Sequence, residues 1–350
     1  RLVLDWIGTP GIMDQPNTPG AAQFNGALIV FVLFGLYAAR RHLWDVFRKA
    51  VFGDKSVDDS GELIGYRASF FGLIITLTGL VAWCGFMGMK VWVAWFVFFF
   101  FVITIIGITR AVAECGLLIV KIESAQPQNY IRALLGTRFI DPVSFTVLGF
   151  VRYVSMFDLK TLFMPALMQG CKGRDTVGDR SKKTLVAFVL AVVIVILVSG
   201  TLTVRACYSG GASNAYNWFY TAGPTGHGLT PMMQWINERR GPDYTAVAYM
   251  IGGAAVSGFL IFMRRGFAWW PLHPLGYIMS QGYFESTRVA FSFFIGWMVK
   301  VAVLKFGGGG LFKRLRPFFL GLILGEFGTA GIWIVFGFIK GEYGPWVFPG

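Results

Sequence analysis

The chain has 350 residues, of which 55% are hydrophobic and only 14% are charged, and its formal net charge is +13. A soluble domain carries about 25% charged residues, so this composition excludes an ordinary water-soluble protein. The lysines and arginines stand in short connections beside long apolar blocks. That distribution is typical of membrane insertion and argues against nucleic-acid binding.

The apolar blocks predict the fold class. A block of about 18 residues or more can cross a hydrocarbon core about 30 Å thick, where only helices or a closed barrel satisfy the backbone. The blocks are continuous, whereas barrel strands alternate. The prediction is therefore an all-α, polytopic transmembrane bundle with about ten crossings and broken or re-entrant segments. We expect residues 1–350 to form a single transmembrane domain that is the C-terminal part of a longer chain.

The predicted elements follow in chain order. Residues 1–24 are rich in Gly and Pro and predict an ordered or re-entrant segment. The segment Ser124–Pro142 is moderately polar and could either re-enter the membrane or lie on its surface. Ten crossings would place every basic cluster on the inner side. The predicted crossings are Asn25–Ala39, Tyr66–Met89, a block that starts at Val91, Phe145–Phe157, Leu159–Gln169, Thr184–Val204, Thr245–Met263, Ala268–Phe284, Val289–Leu304 and, after a Gly307–Gly310 loop, Phe318–Ile339.

Charged side chains inside these blocks are candidates for function, because a charge near the bilayer centre costs about 3 kcal/mol or more. Glu326 lies near the middle of the last crossing. It is either a proton-titrating or substrate-facing carboxylate, or a structural partner between packed helices. Arg110 and Glu114 are four residues apart and share one helix face. This spacing predicts an ion pair, which is either structural or a gate or coupling pair.

The eighth predicted crossing contains a proline-flanked histidine. His273 stands between Pro271 and Pro274, so its helix must be broken or begin there. Broken helices at membrane depth are typical of transporter binding sites, while the surrounding WWPLHP is equally typical of a membrane interface. Gln281 follows on the same segment and could line a cavity.

Two further patterns bear on packing and chemistry. Gly321, Gly325 and Gly328 in the last crossing favour close helix packing within the chain over a dimerisation face. The 4 cysteines and 3 histidines have no metal-ligand spacing, and no nucleophile–base motif is present. We therefore expect no metal, no cofactor and no enzymatic activity.

A family resemblance covers the C-terminal half. The segments RRGFAWWPLHPLGYIMSQGY and SFFIGWMVKVAVLKFGGGGLFKRLRPFFLGLILGE, from Arg264 to about Gly331, resemble oligopeptide-transporter-like membrane proteins. They are similar above all to an uncharacterised bacterial group known only as a domain of unknown function. TRAVAECG near Arg110 and TLFMPALMQG near Thr161 are similar but less specific. The resemblance implies a secondary transporter, since members of the transporter family move peptides or metal chelates together with protons.

The expected function is proton-coupled secondary transport of a peptide-like or chelated small solute across a bacterial cytoplasmic membrane. The alternative is a non-catalytic structural subunit of a larger membrane assembly. The expected partners are the lipid bilayer, the small solute, and a second copy of the chain or other membrane subunits.

Overall fold

The computed structural model describes residues 19–117, 126–157, 159, 162–178, 181–211, 223–280 and 290–340. These described residues form helices and contain no strand, in agreement with the all-α prediction. They fall into two compact units, one within Arg1–Tyr283 and the other within Phe284–Gly350.

The described residues of the first unit form eleven α-helices. Four π-helical turns extend them: Arg48–Phe52 after α2, Ile131–Leu135 after α5, Arg152–Met156 after α6, and Pro224–Leu229 before α9. The helices are α1 (Pro19–Ala38), α2 (Arg40–Phe47), α3 (Tyr66–Phe86), α4 (Val91–Cys115), α5 (Gln128–Tyr130), α6 (Pro142–Val151), α7 (Phe163–Val177), α8 (Lys183–Gly210), α9 (Thr230–Asn237), α10 (Tyr244–Gly266) and α11 (Pro274–Ser280).

Six helices of the described chain are long and apolar enough to cross a membrane. They are α1, α3, α4, α8, α10 and α12 (Ala290–Lys340). The described chain therefore does not confirm the predicted count of about ten crossings. The expected fourth crossing forms a short apolar helix, Pro142–Met156. The expected fifth is replaced by α7, whose second half carries Lys172, Arg174 and Asp175.

The second unit consists of α12, a helix of 51 residues that is broken at Gly308. The backbone there has φ 62° and ψ −167°, a conformation that glycine adopts without steric cost. An unbroken helix of this length would extend about 75 Å, more than twice the thickness of a hydrocarbon core. The break lies within the predicted Gly307–Gly310 connection and divides α12 into two pieces.

The centre of the first unit is a close contact between α1 and α10. A Cβ atom on Gly26 would lie 1.8 Å from the Met250 carbonyl oxygen, and one on Gly253 would lie 2.0 Å from the Gln23 carbonyl oxygen. Each glycine thus rests on the backbone of the other helix, as small residues allow in membrane bundles. Gly107 brings α4 against another part of α1, since a Cβ there would lie 2.4 Å from Leu28 Cδ1.

The segment after α4 contains a buried stretch, residues 126–131. Tyr130 is fully buried, and its ring stacks on Phe100 with the ring centroids 4.1 Å apart. Gln126, Gln128 and Asn129 are also buried. Residues 126–131 therefore bring polar groups into the core of the first unit, whereas Phe139, later in the same segment, is 72% exposed.

Candidate functional site

Arg110 and Glu114 form the ion pair that their spacing predicts. Arg110 Nε lies 2.5 Å from Glu114 Oε1, and the two side chains are 27% and 34% exposed. Both members of the pair therefore keep some access to their surroundings. Whether it is a fixed contact or a coupling pair stays a prediction.

A glycine on α1 makes room for this arginine. Arg110 Nη1 donates a hydrogen bond to the Phe31 carbonyl oxygen at 2.8 Å, and its guanidinium carbon lies 4.1 Å from the centre of the Phe31 ring. Helix geometry already pairs that carbonyl with the N–H of residue 35. A Cβ on Gly35 would lie 2.3 Å from Arg110 Nη1. The missing side chain therefore uncovers the carbonyl for a second donor, and sequence reasoning did not identify Gly35.

His273 lies in the turn between α10 and α11. Its Nδ1 accepts a hydrogen bond from the Leu275 N–H at 3.1 Å, which holds the start of α11. The charges of Arg264, Glu114 and Arg110 act on its imidazole ring. Burial is the largest cause that lowers the pKa of His273, and the charges of Glu114 and Arg110 have smaller, opposite effects on it.

The other two predicted site residues are elsewhere. Gln281 lies outside the described residues. Glu326 belongs to the second unit, where it is exposed on α12, and it makes no hydrogen bond or ion pair with any described residue. Its predicted role as a titrating carboxylate or structural partner stays a prediction.

The predicted packing glycines are in the second unit as well. Within the described residues of that unit, no heavy atom lies within 4 Å of a Cβ position at Gly321, Gly325 or Gly328. Helix packing at these positions stays a prediction. The close approaches of glycine to the backbone of a neighbouring long helix that the structure does show include those of Gly26 and Gly253.

A buried arginine was not among the predicted site residues. Arg152 is only 4% exposed. Its Nε and Nη2 donate to Gln126 Oε1 at 3.0 Å and 2.5 Å, and its Nη1 donates to the His227 carbonyl oxygen. Gln128 Nε2 donates to the same Gln126 oxygen at 2.5 Å. No carboxylate of the described chain contacts Arg152.

A small polar cavity lies on the other side of the same segment. It has a volume of about 20 Å³, which is enough for one water molecule or a group of that size. Asn25 and Asn129 line it, and their buried amide atoms lack hydrogen-bond partners among the described residues. Burial lowers the pKa of Arg132, and the Asp243 carboxylate offsets part of that shift. Asp243 also caps α10 by accepting a hydrogen bond from the Ala246 N–H.

The buried polar residues escaped sequence reasoning for a simple reason. Charged residues inside apolar blocks are the pattern that marks candidates in the sequence. Gln126, Gln128 and Asn129 are uncharged and lie between blocks. The sequence signal for these buried residues is a segment rich in glutamine and asparagine that also contains a proline, a tyrosine and aliphatic residues. No group of three or more His, Cys, Asp or Glu side chains in the described ranges is arranged to hold a metal ion.

Comparison with known proteins places the chain in a family. The sequence profile of a family of unknown function, DUF6785, matches residues 1–349, so the chain belongs to that family. No curated protein and no solved structure matches it.

Proposed function

We propose that this protein is a multi-pass membrane transporter that moves a small solute together with protons. One observation carries the proposal: the partly exposed Arg110–Glu114 pair on α4, with His273 close enough to interact electrostatically. Ionisable residues within membrane helices are rare and mark substrate or proton pathways. The broken chain before α11 adds the kind of interruption that recurs at transporter binding sites.

The pair offers a way to couple proton binding to helix position. A proton on Glu114 removes its negative charge and therefore weakens the hold on Arg110. The guanidinium then keeps only the neutral Phe31 carbonyl and the Phe31 ring as partners. Because Glu114 is on α4 and Phe31 is on α1, protonation of Glu114 changes the contact between the two helices.

The resemblance of the C-terminal half to oligopeptide-transporter-like proteins motivates the finer parts of the proposal. They are a peptide-like or chelated solute, and a bacterial cytoplasmic membrane as the location. The described polar groups do not select between the two solute classes.

The test is solute-driven proton entry into proteoliposomes that contain a pH-sensitive dye. Pools of small peptides and of metal chelates are added outside, and wild type is compared with Glu114→Gln. The control is Glu62→Gln, which changes an exposed loop carboxylate. We expect Glu114→Gln to lower the initial rate at least about tenfold, equivalent to about 1.4 kcal/mol, and Glu62→Gln to leave it unchanged. Equal rates in all three proteins, or no entry with any pool, would contradict the proposal.

A second candidate function is a structural subunit of a larger membrane assembly, either with other subunits or with a second copy. The observation that favours it is the exposed Glu326, which is the single charged residue between Arg316 and Lys340 of α12. A charge inside such an apolar stretch calls for a partner. The mass of the particle extracted gently from native membranes separates the two. Foreign subunits in fixed stoichiometry would favour the assembly.

A further inference from the structure

Arg152 is a buried cation that contacts no anion among the described residues. Arg152 is the first residue of the π-helical turn after α6. Its guanidinium contacts Gln126 on one side and His227, in the π-helical turn before α9, on another. Its hydrogen-bond partners in the described part of the chain are neutral oxygens: Gln126 Oε1 and the His227 carbonyl. A buried charge that lacks an opposite charge is strongly unfavourable.

The hydrogen bonds around Arg152 are also unbalanced. Three N–H groups converge on Gln126 Oε1: Nε and Nη2 of Arg152, and Nε2 of Gln128. An amide oxygen has two lone pairs, so the donors outnumber the acceptor sites. A second amide oxygen in the same cluster, Gln128 Oε1, is buried and accepts none of these donors, so its own hydrogen bonding is unsatisfied among the described residues.

We propose that Arg152 is the centre of a binding site for a carboxylate, whose oxygens replace Gln126 Oε1 as the acceptor of these three N–H groups. A carboxylate has two oxygens with about four lone-pair positions and a negative charge. It therefore corrects both the charge and the shortage of acceptors. The Nε–Nη2 edge of arginine presents two parallel donors that match the two oxygens of a planar carboxylate.

In this arrangement Gln126 is an internal substitute for the ligand. Its amide oxygen occupies the position where a ligand oxygen would bind, and it leaves that position when the ligand arrives. The inference goes beyond the proposed function, because it requires only binding and not transport. If the chain does transport, the site assigns a carboxylate-bearing solute to it.

The experiment measures thermal unfolding of the purified full chain in detergent at constant ionic strength. Sodium chloride is replaced stepwise by sodium formate, sodium acetate or sodium phosphate. At a formate concentration tenfold above the dissociation constant, we expect the Tm of the wild type to rise by about 2 °C. Failure of proton transport would leave this result unaffected, so the two proposals can fail separately.

Two substitutions of Gln126 sharpen the test in opposite directions. Gln126→Ala removes the internal acceptor, so its Tm in chloride should be lower than that of the wild type and its rise in formate larger. Gln126→Glu places a carboxylate at the site, so its Tm in chloride should be higher and formate should have no effect. Gln234→Ala on the exposed side of α9 is the matched control and should respond to formate as the wild type does.

Arg152→Gln should abolish the response to formate. If this variant does not fold, the loss of response in Gln126→Glu tests the same point. Unchanged Tm values in formate for both the wild type and Gln126→Ala would overturn the proposal. A rise in phosphate equal to that in formate would overturn the carboxylate assignment, because the site would then take inorganic oxyanions in general.

Discussion

The α1–α10 contact in the first unit and the helix α12 in the second unit are both apolar and rich in glycine. In the α1–α10 contact, Gly26 and Gly253 each rest on the backbone of the opposite helix. Gly321 and Gly325 of α12 have open space around their Cβ positions within their own unit. Glycine spacing thus indicates that another backbone can approach closely, and only the structure shows where one does.

Charged residues differ between the two regions in the same way. In the first unit, Arg110 and Glu114 hold each other, and Arg152 has neutral acceptors. Glu326 of α12 has no partner among the described residues. The charged groups of the first unit named here therefore have partners within it, whereas the described residues of the second unit offer none to Glu326.

The largest loss of stability is expected for Gly26→Ala in the α1–α10 contact. The new methyl group would overlap the Met250 carbonyl, a backbone atom that cannot turn aside, so α1 and α10 must separate. We expect a loss of about 3 kcal/mol in the free energy of unfolding, measured by thermal unfolding in detergent. Gly321→Ala is the matched control and should change stability by less than about 1 kcal/mol, because alanine favours the helix. Equal losses in the two variants would contradict the account.

A smaller effect is expected at Gly35. A methyl group there would overlap Arg110 Nη1, which is the end of a flexible side chain and can move away. The cost is then the hydrogen bond to the Phe31 carbonyl, about 1.5 kcal/mol for a charged donor. Gly72→Ala on α3, where the Cβ position is open, is the control.

A double-mutant cycle shows whether Arg110 is the cause. In an Arg110→Ala background, Gly35→Ala should cost nothing, since the displaced group is gone. A cost that persists without the arginine would mean that Gly35 is required for another reason.

The smallest effect concerns the cap of α6. Asp141 accepts hydrogen bonds from the Ser144 N–H at 3.0 Å and the Ser144 hydroxyl at 2.8 Å, and Lys90 Nζ lies 3.5 Å away. Asp141→Ala should cost about 1 kcal/mol in the free energy of unfolding, as is usual for an N-cap. Asp141→Asn keeps an oxygen acceptor and should lose less.

The same cap predicts a pH dependence. Burial raises the pKa of Asp141, but the Ser144 hydrogen bonds and Lys90 lower it more, so its pKa in the folded protein is below the ordinary value. Its contribution is therefore present above about pH 4 and is lost as the pH falls further. The Tm difference between the wild type and Asp141→Ala should shrink below that pH. A difference that grows on acidification would contradict this sign.

Local signals predicted part of the fold and of the site. Long apolar blocks located α3, α8 and α10 to within a few residues, apart from the C-terminal end of α8, and the four-residue spacing predicted the Arg110–Glu114 pair. The Gly26–Met250 contact and the Arg152–Gln126 hydrogen bonds join residues far apart in the chain. They have no local pattern, and a single sequence does not show which glycine or glutamine has a neighbour. The assignment of ten crossings failed for α7 because its apolar start continues into a charged half of the same helix.

The central claim is that proton coupling resides in the first unit, at Glu114. The most direct measurement compares solute-driven proton entry in proteoliposomes for Glu114→Gln and Glu326→Gln, with matched amounts of folded protein. The account predicts that Glu114→Gln loses proton entry and that Glu326→Gln retains it. Loss in Glu326→Gln together with retention in Glu114→Gln would contradict the account and place the coupling carboxylate on α12.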